Sequence, residues 1–285
     1  MRSIREPAWA KINLTLDVLS KRPDGYHDLE SIMQAVSLKD DITIIPGTKE
    51  PWSIQCDRGD IPCDRRNLAW KAAKLFCEST GWDPDGLQIL ISKRIPSEAG
   101  LGGGSADAAA VLRALNRCVP QPLSIMELAQ LGSMVGSDVP FCVICGTAFC
   151  EGRGEILKPF STSSVFHYVL CKPALSFSTP KLFAKLDEVN IIHRPNHGAM
   201  LQALESDDPE AVGEQLCNVF EAAVHNEYPE IAHIKNCLLR YGACGAQMTG
   251  SGSVVYGIFP SQTQARRAWE QLRVEYPNSY LCHSV

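Results

Sequence analysis

The segment PSEAGLGGGSADAAAVLRALN, Pro96 to Asn116, places four glycines within five positions directly before an alanine-rich helical pattern. Consecutive glycines cost conformational entropy, so such a run is expected where the backbone must pass very close to something else. A glycine turn that opens a helix points several backbone N–H groups, and the positive end of the helix dipole, into one concavity. That arrangement favours an anion by about 0.3–1 kcal/mol per contact.

The run fits none of the three common phosphate loops. A Walker loop needs a lysine after its last glycine, and Ser105 follows Gly104 here. The dinucleotide fingerprint lies tight against its strand and ends in a further glycine. Here Pro96 to Ala99 intervene, and Ser105 stands in the final position. A protein-kinase glycine loop joins two strands, whereas this one opens a helix. What remains is a lysine-free cradle, suited to a polyphosphate whose charge is shared with Mg²⁺. Ser105 is expected to cap the helix and to donate to a phosphate or sit near its metal.

Two further polar groups stand where chemistry is plausible. From Ala10 to Leu19 the chain alternates, with Ile12, Leu14, Leu16 and Val18 on one face and Lys11, Asn13, Thr15 and Asp17 on the other. Lys11 and Asn13 therefore present an ammonium and an amide side by side, although an exposed strand lysine is the plainer reading of Lys11 alone. Asp138, in GSDVPFCV, is expected between a helix end and an apolar strand. It is either a structural cap or a general base, the latter worth roughly 10²–10⁴ in rate. Tyr26 and His27 follow a PDG turn and can stack on and hydrogen-bond a ring, or be ordinary hairpin residues. The turn in MTGSGSVVYG either is only a hairpin or brings Thr249, Gly250, Ser251 and Gly252 to the same phosphates.

The 285 residues suffice for one large or two ordinary domains. Strands and helices mix without strict alternation, which reads as α+β in both halves, with a soft boundary at EGRG: residues 1–154 and 155–285. Expected strands include MQAVSL, DDITIIP, LQILISKRIP and FHYVLCKP. Expected helices include NLAWKAAKLFCEST, LSIMELAQLGSMVG with Ser124 and Glu127 as a capping box, AVGEQLCNVFEAAV, EIAHIKNCLLRYGA and TQARRAWEQLRVE.

A net charge of −5 argues against a nucleic-acid partner. No apolar run approaches the roughly 20 residues of a membrane helix, so a cytoplasmic location without a membrane partner is expected. The 12 cysteines sit in apolar runs, and Cys142 and Cys145 read as small hydrophobes in a buried strand. No metal ligands are assigned.

Taken together, PSEAGLGGGSADAAAVLRALN, PAWAKINLTLDVLSKRPDGYHDLESIMQAV, LGSMVGSDVPFCV and MTGSGSVVYGIF resemble, in order and over most of the chain, the motifs of the GHMP small-molecule kinases. AKINL with RPDGYHDLES resembles the branch whose substrate is a polyol carrying a cytidine diphosphate. The resemblance implies a two-domain α+β fold with the site in the interdomain cleft, and transfer of the γ-phosphate of ATP to an alcohol. It implies Asp138 as base and Lys11 as its partner. It further implies ATP contacts from Pro96, Gly100, Leu101, Gly102, Gly103, Gly104, Ser105 and Asn67, with Thr249 to Gly252 near the phosphates. Asn13, Tyr26, His27, Thr179 and Phe183 are implied as substrate contacts, Phe183 on the opposite side of the cytosine from Tyr26 and His27.

Ser97, Glu98 and Ala99 depart from the glycine-richer run common there, and Ala106 replaces a frequent second serine. Asp107 either points away from the phosphates or faces the metal. A homoserine, mevalonate or sugar kinase of the same family has no base for Tyr26, His27 and Phe183 to hold. A non-catalytic nucleotide-binding module has no need of both Lys11 and Asp138.

Overall fold

The computed structural model describes residues 3–225 and 227–285. In chain order the strands are β1 Ile4–Lys21, β2 His27–Pro46, β3 Ser53–Cys56, β4 Leu87–Ser92, β5 Thr147–Glu151, β6 Ile156–Phe160, β7 His167–Cys171, β8 Cys217–Asn218, β9 Gly245–Met248, β10 Val255–Phe259 and β11 Ser279–His283. The helices are α1 Leu68–Thr80, α2 Gly103–Asn116, α3 Ile125–Ser133, α4 Val139–Ile144, α5 Thr179–Leu186, α6 His197–Glu205, α7 Pro209–Glu214, α8 Phe220–Val224, α9 Pro229–Arg240 and α10 Gln262–Glu275. Two compact units interleave along the chain. One takes residues up to Ala10, Lys39–Ile95 and Gly102–Cys145; the other takes Lys11–Leu38, Pro96–Leu101 and Gly146–Val285.

In the first unit the end of β2 pairs antiparallel with β4, Ile42 opposite Ile91 and Ile44 opposite Ile89. β3 adds parallel to the other edge of β4. All four isoleucines are buried, as are Ala69, Ala72, Ala73 and Phe76 of α1. Helix α2 is buried almost all round, from Ala106 to Leu115. Its small alanines let neighbouring backbones approach, and an all-apolar helix of this kind belongs in a core. Helix α3 starts as the sequence predicts: the Ser124 side chain accepts from the Glu127 N–H, and the Glu127 carboxylate accepts from the Ser124 N–H at 2.8 Å.

In the second unit the start of β2 pairs with β5, and β5 with β6. β1 meets the two-residue β8 in parallel at Thr15 and Leu16. A separate four-stranded antiparallel sheet runs β11-β7-β10-β9. Helices α5, α8, α9 and α10 contribute Leu182, Phe220, Ile234 and Leu272 to the core over it.

Several expectations need correction. MQAVSL and DDITIIP are one strand, β2, not two. The apolar segment after Asp138 is the helix α4, not a strand; Pro140 stands in its first turn, where a missing N–H costs nothing. Cys142 is accordingly a buried helix residue, and Cys145 ends that helix at φ 57°. AVGEQLCNVFEAAV is not one helix but α7, β8 and α8. The second face of β1 is also not exposed: Lys11, Asn13, Thr15 and Asp17 are all buried.

Candidate active site

Each unit assembles part of the predicted constellation. In the second unit the two glycine turns meet backbone to backbone. A Cβ on Gly100 would lie 2.2 Å from the Thr249 carbonyl oxygen, and one on Gly250 would lie 3.0 Å from that of Gly100. Both have left-handed backbones, φ 75° and 56°, so glycine is required on two counts. The Val254 N–H donates to the Ala99 carbonyl at 3.2 Å, which fastens the turns together. Gly252, at φ 85°, leaves no room for a Cβ beside Phe177 and Met248. Ser251 meets Thr179, the first residue of α5, hydroxyl to hydroxyl at 2.8 Å.

β1 runs past these turns and is tied to both. The Lys11 N–H donates to the Leu101 carbonyl at 3.0 Å. Its ammonium donates to Asn13 Oδ1 at 2.9 Å. Asn13 is the hub: its N–H donates to Thr249 Oγ1 at 3.0 Å, its amide NH₂ donates to Ser31 Oγ at 2.8 Å, and Oδ1 also accepts from the Thr249 hydroxyl at 3.3 Å. Gln247 and Tyr256 both donate to the Asn13 carbonyl. Burial raises the Tyr256 phenol well above its ordinary value, so it stays a neutral donor. Asn13 thus spends both lone pairs of Oδ1 within the protein and holds Lys11 and Thr249 in register. Buried polar groups satisfied in this way fix one geometry.

Asn218 pins the second glycine turn from below, its NH₂ donating to the Met248 and Gly250 carbonyls at 2.7 and 2.9 Å. It was missed in the sequence because it sits inside an apolar pattern that reads as helix.

His27 and Phe183 are brought together, but directly: their rings stack at 4.8 Å and 17°. No base fits between those two rings as they stand. His27 Nε2 and Asp187 Oδ1 are 2.9 Å apart, and this hydrogen bond holds the Asp187 carboxyl below its ordinary value. Lys21 reaches the same carboxylate at 3.4 Å. Together with Leu186, Asn190 and Arg194 these residues line a polar pocket of about 270 Å³. Tyr26 is not in the stack. It is 55% exposed, with the Arg153 guanidinium 5.0 Å from its ring centre.

In the first unit α2 begins at Gly102, whose left-handed φ of 68° makes it the N-cap, and no side chain caps the helix. Ser105 is therefore not the cap as expected; it lies in the first turn. The N–H groups of Gly103, Gly104 and Ser105 precede the first intrahelical donor, Ala106, which bonds to Gly102. Gly103 packs on Ile95, where a Cβ would sit 3.0 Å from a methyl, and Gly104 faces Leu68. Asn67 caps α1 next to that contact; its Oδ1 accepts from the Ala69 N–H at 2.9 Å and its NH₂ donates to the Pro62 carbonyl at 2.8 Å. Asp138 precedes α4 without capping it through its side chain, so the structural-cap reading falls. Gly136, just before it, approaches Ser105: a Cβ there would lie 4.0 Å from Ser105 Oγ. Pro96 lies half-buried directly after Ile95.

Under the loop lies an ionic cluster that the sequence did not reveal. The buried Lys93 ammonium donates to Asp40 and, at 2.8 Å, to Asp107. Asp40 also accepts from the backbone N–H groups of Arg94 and Ile95. Asp107 is thus turned into this buried cluster. Burial pushes its carboxyl up to about 8 despite Lys93. Lys93 is raised, its two carboxylates outweighing a desolvation cost that works the other way. The ammonium stands 3.4 Å from where a Cβ on Gly103 would be.

Comparison with known proteins follows the same lines. Residues 67–146 match the family of GHMP kinases N terminal domains and residues 200–278 that of GHMP kinases C terminal domains. The chain is 43% identical over 267 residues to a 4-diphosphocytidyl-2-C-methyl-D-erythritol kinase of Caldicellulosiruptor saccharolyticus, covering 94% of this chain and 92% of the relative. It is 42% identical over 272 residues to one from Geobacillus thermodenitrificans, covering 95% and 92%. A crystal structure of 4-(cytidine 5'-diphospho)-2C-methyl-D-erythritol kinase superposes with a TM-score of 0.83 at 33% identity, covering 99% of both chains.

Proposed function

The chain belongs to the 4-diphosphocytidyl-2-C-methyl-D-erythritol kinase family of the GHMP kinases, and from that premise we infer how its residues carry the reaction. The activity is transfer of the γ-phosphate of ATP to the tertiary 2-hydroxyl of 4-diphosphocytidyl-2-C-methyl-D-erythritol, in the non-mevalonate route to isoprenoid precursors.

In the proposed mechanism the N–H groups of Gly103, Gly104 and Ser105 receive the polyphosphate at the uncapped start of α2. The turn from Thr249 to Gly252, packed on Gly100, borders the phosphates. Pro96 and Leu101 shape the loop, and Asn67, at the start of α1, borders the adenosine. Asp138 takes the proton of the 2-hydroxyl, and Lys11 stabilises the emerging alkoxide. Phosphoryl transfer otherwise requires in-line positioning and charge stabilisation, with little covalent work for the protein.

A triphosphate fits this loop, because the first turn of α2 offers amides that no side chain occupies. The Ser105 hydroxyl would help hold Mg²⁺ with the phosphates, and the ion would supply charge neutralisation there. Asp107 is not its ligand, being held by Lys93. For the acceptor, His27 and Phe183 present one stacked face to the cytosine, Tyr26 the other, and Thr179 a hydroxyl. Asn13 acts on the substrate through Lys11, which it holds. Residues 1–154 are the ATP-binding domain of this reading and residues 155–285 its C-terminal partner, a division along the chain that the interleaved units cross at Lys11–Leu38, Pro96–Leu101 and from Gly146 to Gly154. The enzyme works in the cytoplasm; among the described residues no helix is long and apolar enough to cross a membrane.

The observation that carries the proposal is the junction of Lys11, Asn13 and Thr249 with the two glycine turns. Asp138→Asn tests it. Turnover falls by at least about 10²-fold, the lower end for a lost general base, while ATP affinity measured by calorimetry stays within twofold of wild type. Undiminished turnover removes Asp138 from the mechanism.

A further inference from the structure

On the outer helices of the second unit, α9 and the end of α10 bring together three side chains that the kinase reaction does not use. His233 and Cys237 stand one helical turn apart on α9, and Glu275 is the last residue of α10. The ligand atoms of the three lie within 4.8 Å of one another. His233 Nε2 is 3.5 Å from Cys237 Sγ and 3.2 Å from Glu275 Oε1.

Both contacts fall on the same ring nitrogen. An imidazole nitrogen has one in-plane hydrogen-bond position, so it cannot serve sulfur and carboxylate together at full strength. Three donor atoms converging on one point are what a cation needs. A tetrahedral zinc site with usual bond lengths has N–S edges of about 3.5–3.6 Å and N–O edges of about 3.3–3.4 Å. The N–S edge, at 3.5 Å, already has this length, and the N–O edge, at 3.2 Å, lies just short of it. The remaining sulfur–carboxylate edge closes by rotating Glu275, whose side chain is 56% exposed.

We propose that His233, Cys237 and Glu275 form a binding site for a borderline-soft divalent cation of the zinc class. Imidazole with thiolate selects such an ion over Mg²⁺, which prefers oxygen ligands. On binding, the Cys237 thiol loses its proton to solvent, a metal–sulfur bond forms, and the fourth position stays with water. Arg240 donates from Nη2 to Cys237 Sγ at 3.1 Å, the kind of outer partner that orients a ligating sulfur. His233 borders an open groove with Asn236, Leu239 and Arg240, which gives the ion its entry. Because the ligands come from two helices, the ion clips α9 to α10 and stabilises the fold by binding only the folded chain.

Titrating the full-length reduced protein with Co²⁺, in the absence of nucleotide, tests this. Wild type takes up one equivalent with a thiolate-to-cobalt charge-transfer band, Zn²⁺ displaces it, and Zn²⁺ raises the melting temperature. His233→Ala and Glu275→Gln, at exposed side chains, weaken binding by more than about tenfold, the loss that even an outer-shell change produces. Cys237→Ser abolishes the band, and Cys63→Ser keeps it. Cys237 is buried, so the two exposed variants decide the matter should Cys237→Ser not fold. The proposal is overturned by a wild type without the band, by a band that survives in Cys237→Ser, or by a His233→Ala affinity equal to wild type.

Discussion

Alanine at Gly100 tests whether the two glycine turns must touch for catalysis. The substitution carries two separable costs. A non-glycine residue at φ 75° costs roughly 1–2 kcal/mol. The new Cβ would also stand 2.2 Å from the Thr249 carbonyl oxygen, where ordinary contact begins at 3.4 Å, so the turns must part by about 1 Å. Thr249 is hydrogen-bonded to Asn13, and Asn13 to Lys11, so the displacement reaches the ammonium. A misplacement of about 1 Å at a reacting centre costs about 10²-fold, or ~2.7 kcal/mol in the barrier. Gly81 is the control: φ is 67° and a Cβ there meets nothing within 4 Å. In a coupled ADP-release assay Gly100→Ala loses about two orders of magnitude in kcat/KM and Gly81→Ala loses none. Thermal melts show a larger loss for Gly100→Ala, since Gly81→Ala bears only the backbone cost. Equal melting losses, or a wild-type kcat/KM in Gly100→Ala, would refute the contact argument.

Two further perturbations address the surroundings of the loop and the acceptor side. Burial raises the Asp107 carboxyl from 3.8 to about 8, so the folded chain holds a proton that the unfolded chain releases. That contribution is complete below the unfolded value and is lost as pH rises towards about 8, a decline that Asp107→Asn, neutral throughout, does not share. Urea melts of both proteins across this window check it, and parallel pH slopes contradict it. Phe183→Ala removes the ring stacked on His27. A lost stack of ~1–3 kcal/mol raises KM for the cytidyl substrate by between about fivefold and a hundredfold, with KM for ATP unchanged; an effect confined to ATP assigns the ring to the wrong ligand.

What could be read from the sequence was local. The glycine run, the alanine helix after it and the Ser124–Glu127 cap depend on neighbours within a few residues, and they stand as expected apart from Ser105, which lies inside the first turn. The burial of Lys11 and Asn13 was not legible. Their cover comes from Ser31, Gln247, Thr249 and Tyr256, most of them more than 230 positions away. The same distance effect broke the helix expected through Asn218, whose side chain is claimed by the carbonyls of Met248 and Gly250. The cluster of Lys93, Asp40 and Asp107 left no local sign, because separate stretches of the chain bring the three together. His27 and Phe183 were singled out, yet their direct stacking is a tertiary fact that changes which ring can oppose the base.

The most direct measurement is ADP release from ATP with the purified full-length chain against four acceptors: 4-diphosphocytidyl-2-C-methyl-D-erythritol, mevalonate, homoserine and galactose. The site described here predicts turnover with the cytidyl acceptor alone, since only that molecule has an aromatic base for Tyr26, His27 and Phe183. Turnover with one of the other three, and none with the cytidyl compound, would contradict it.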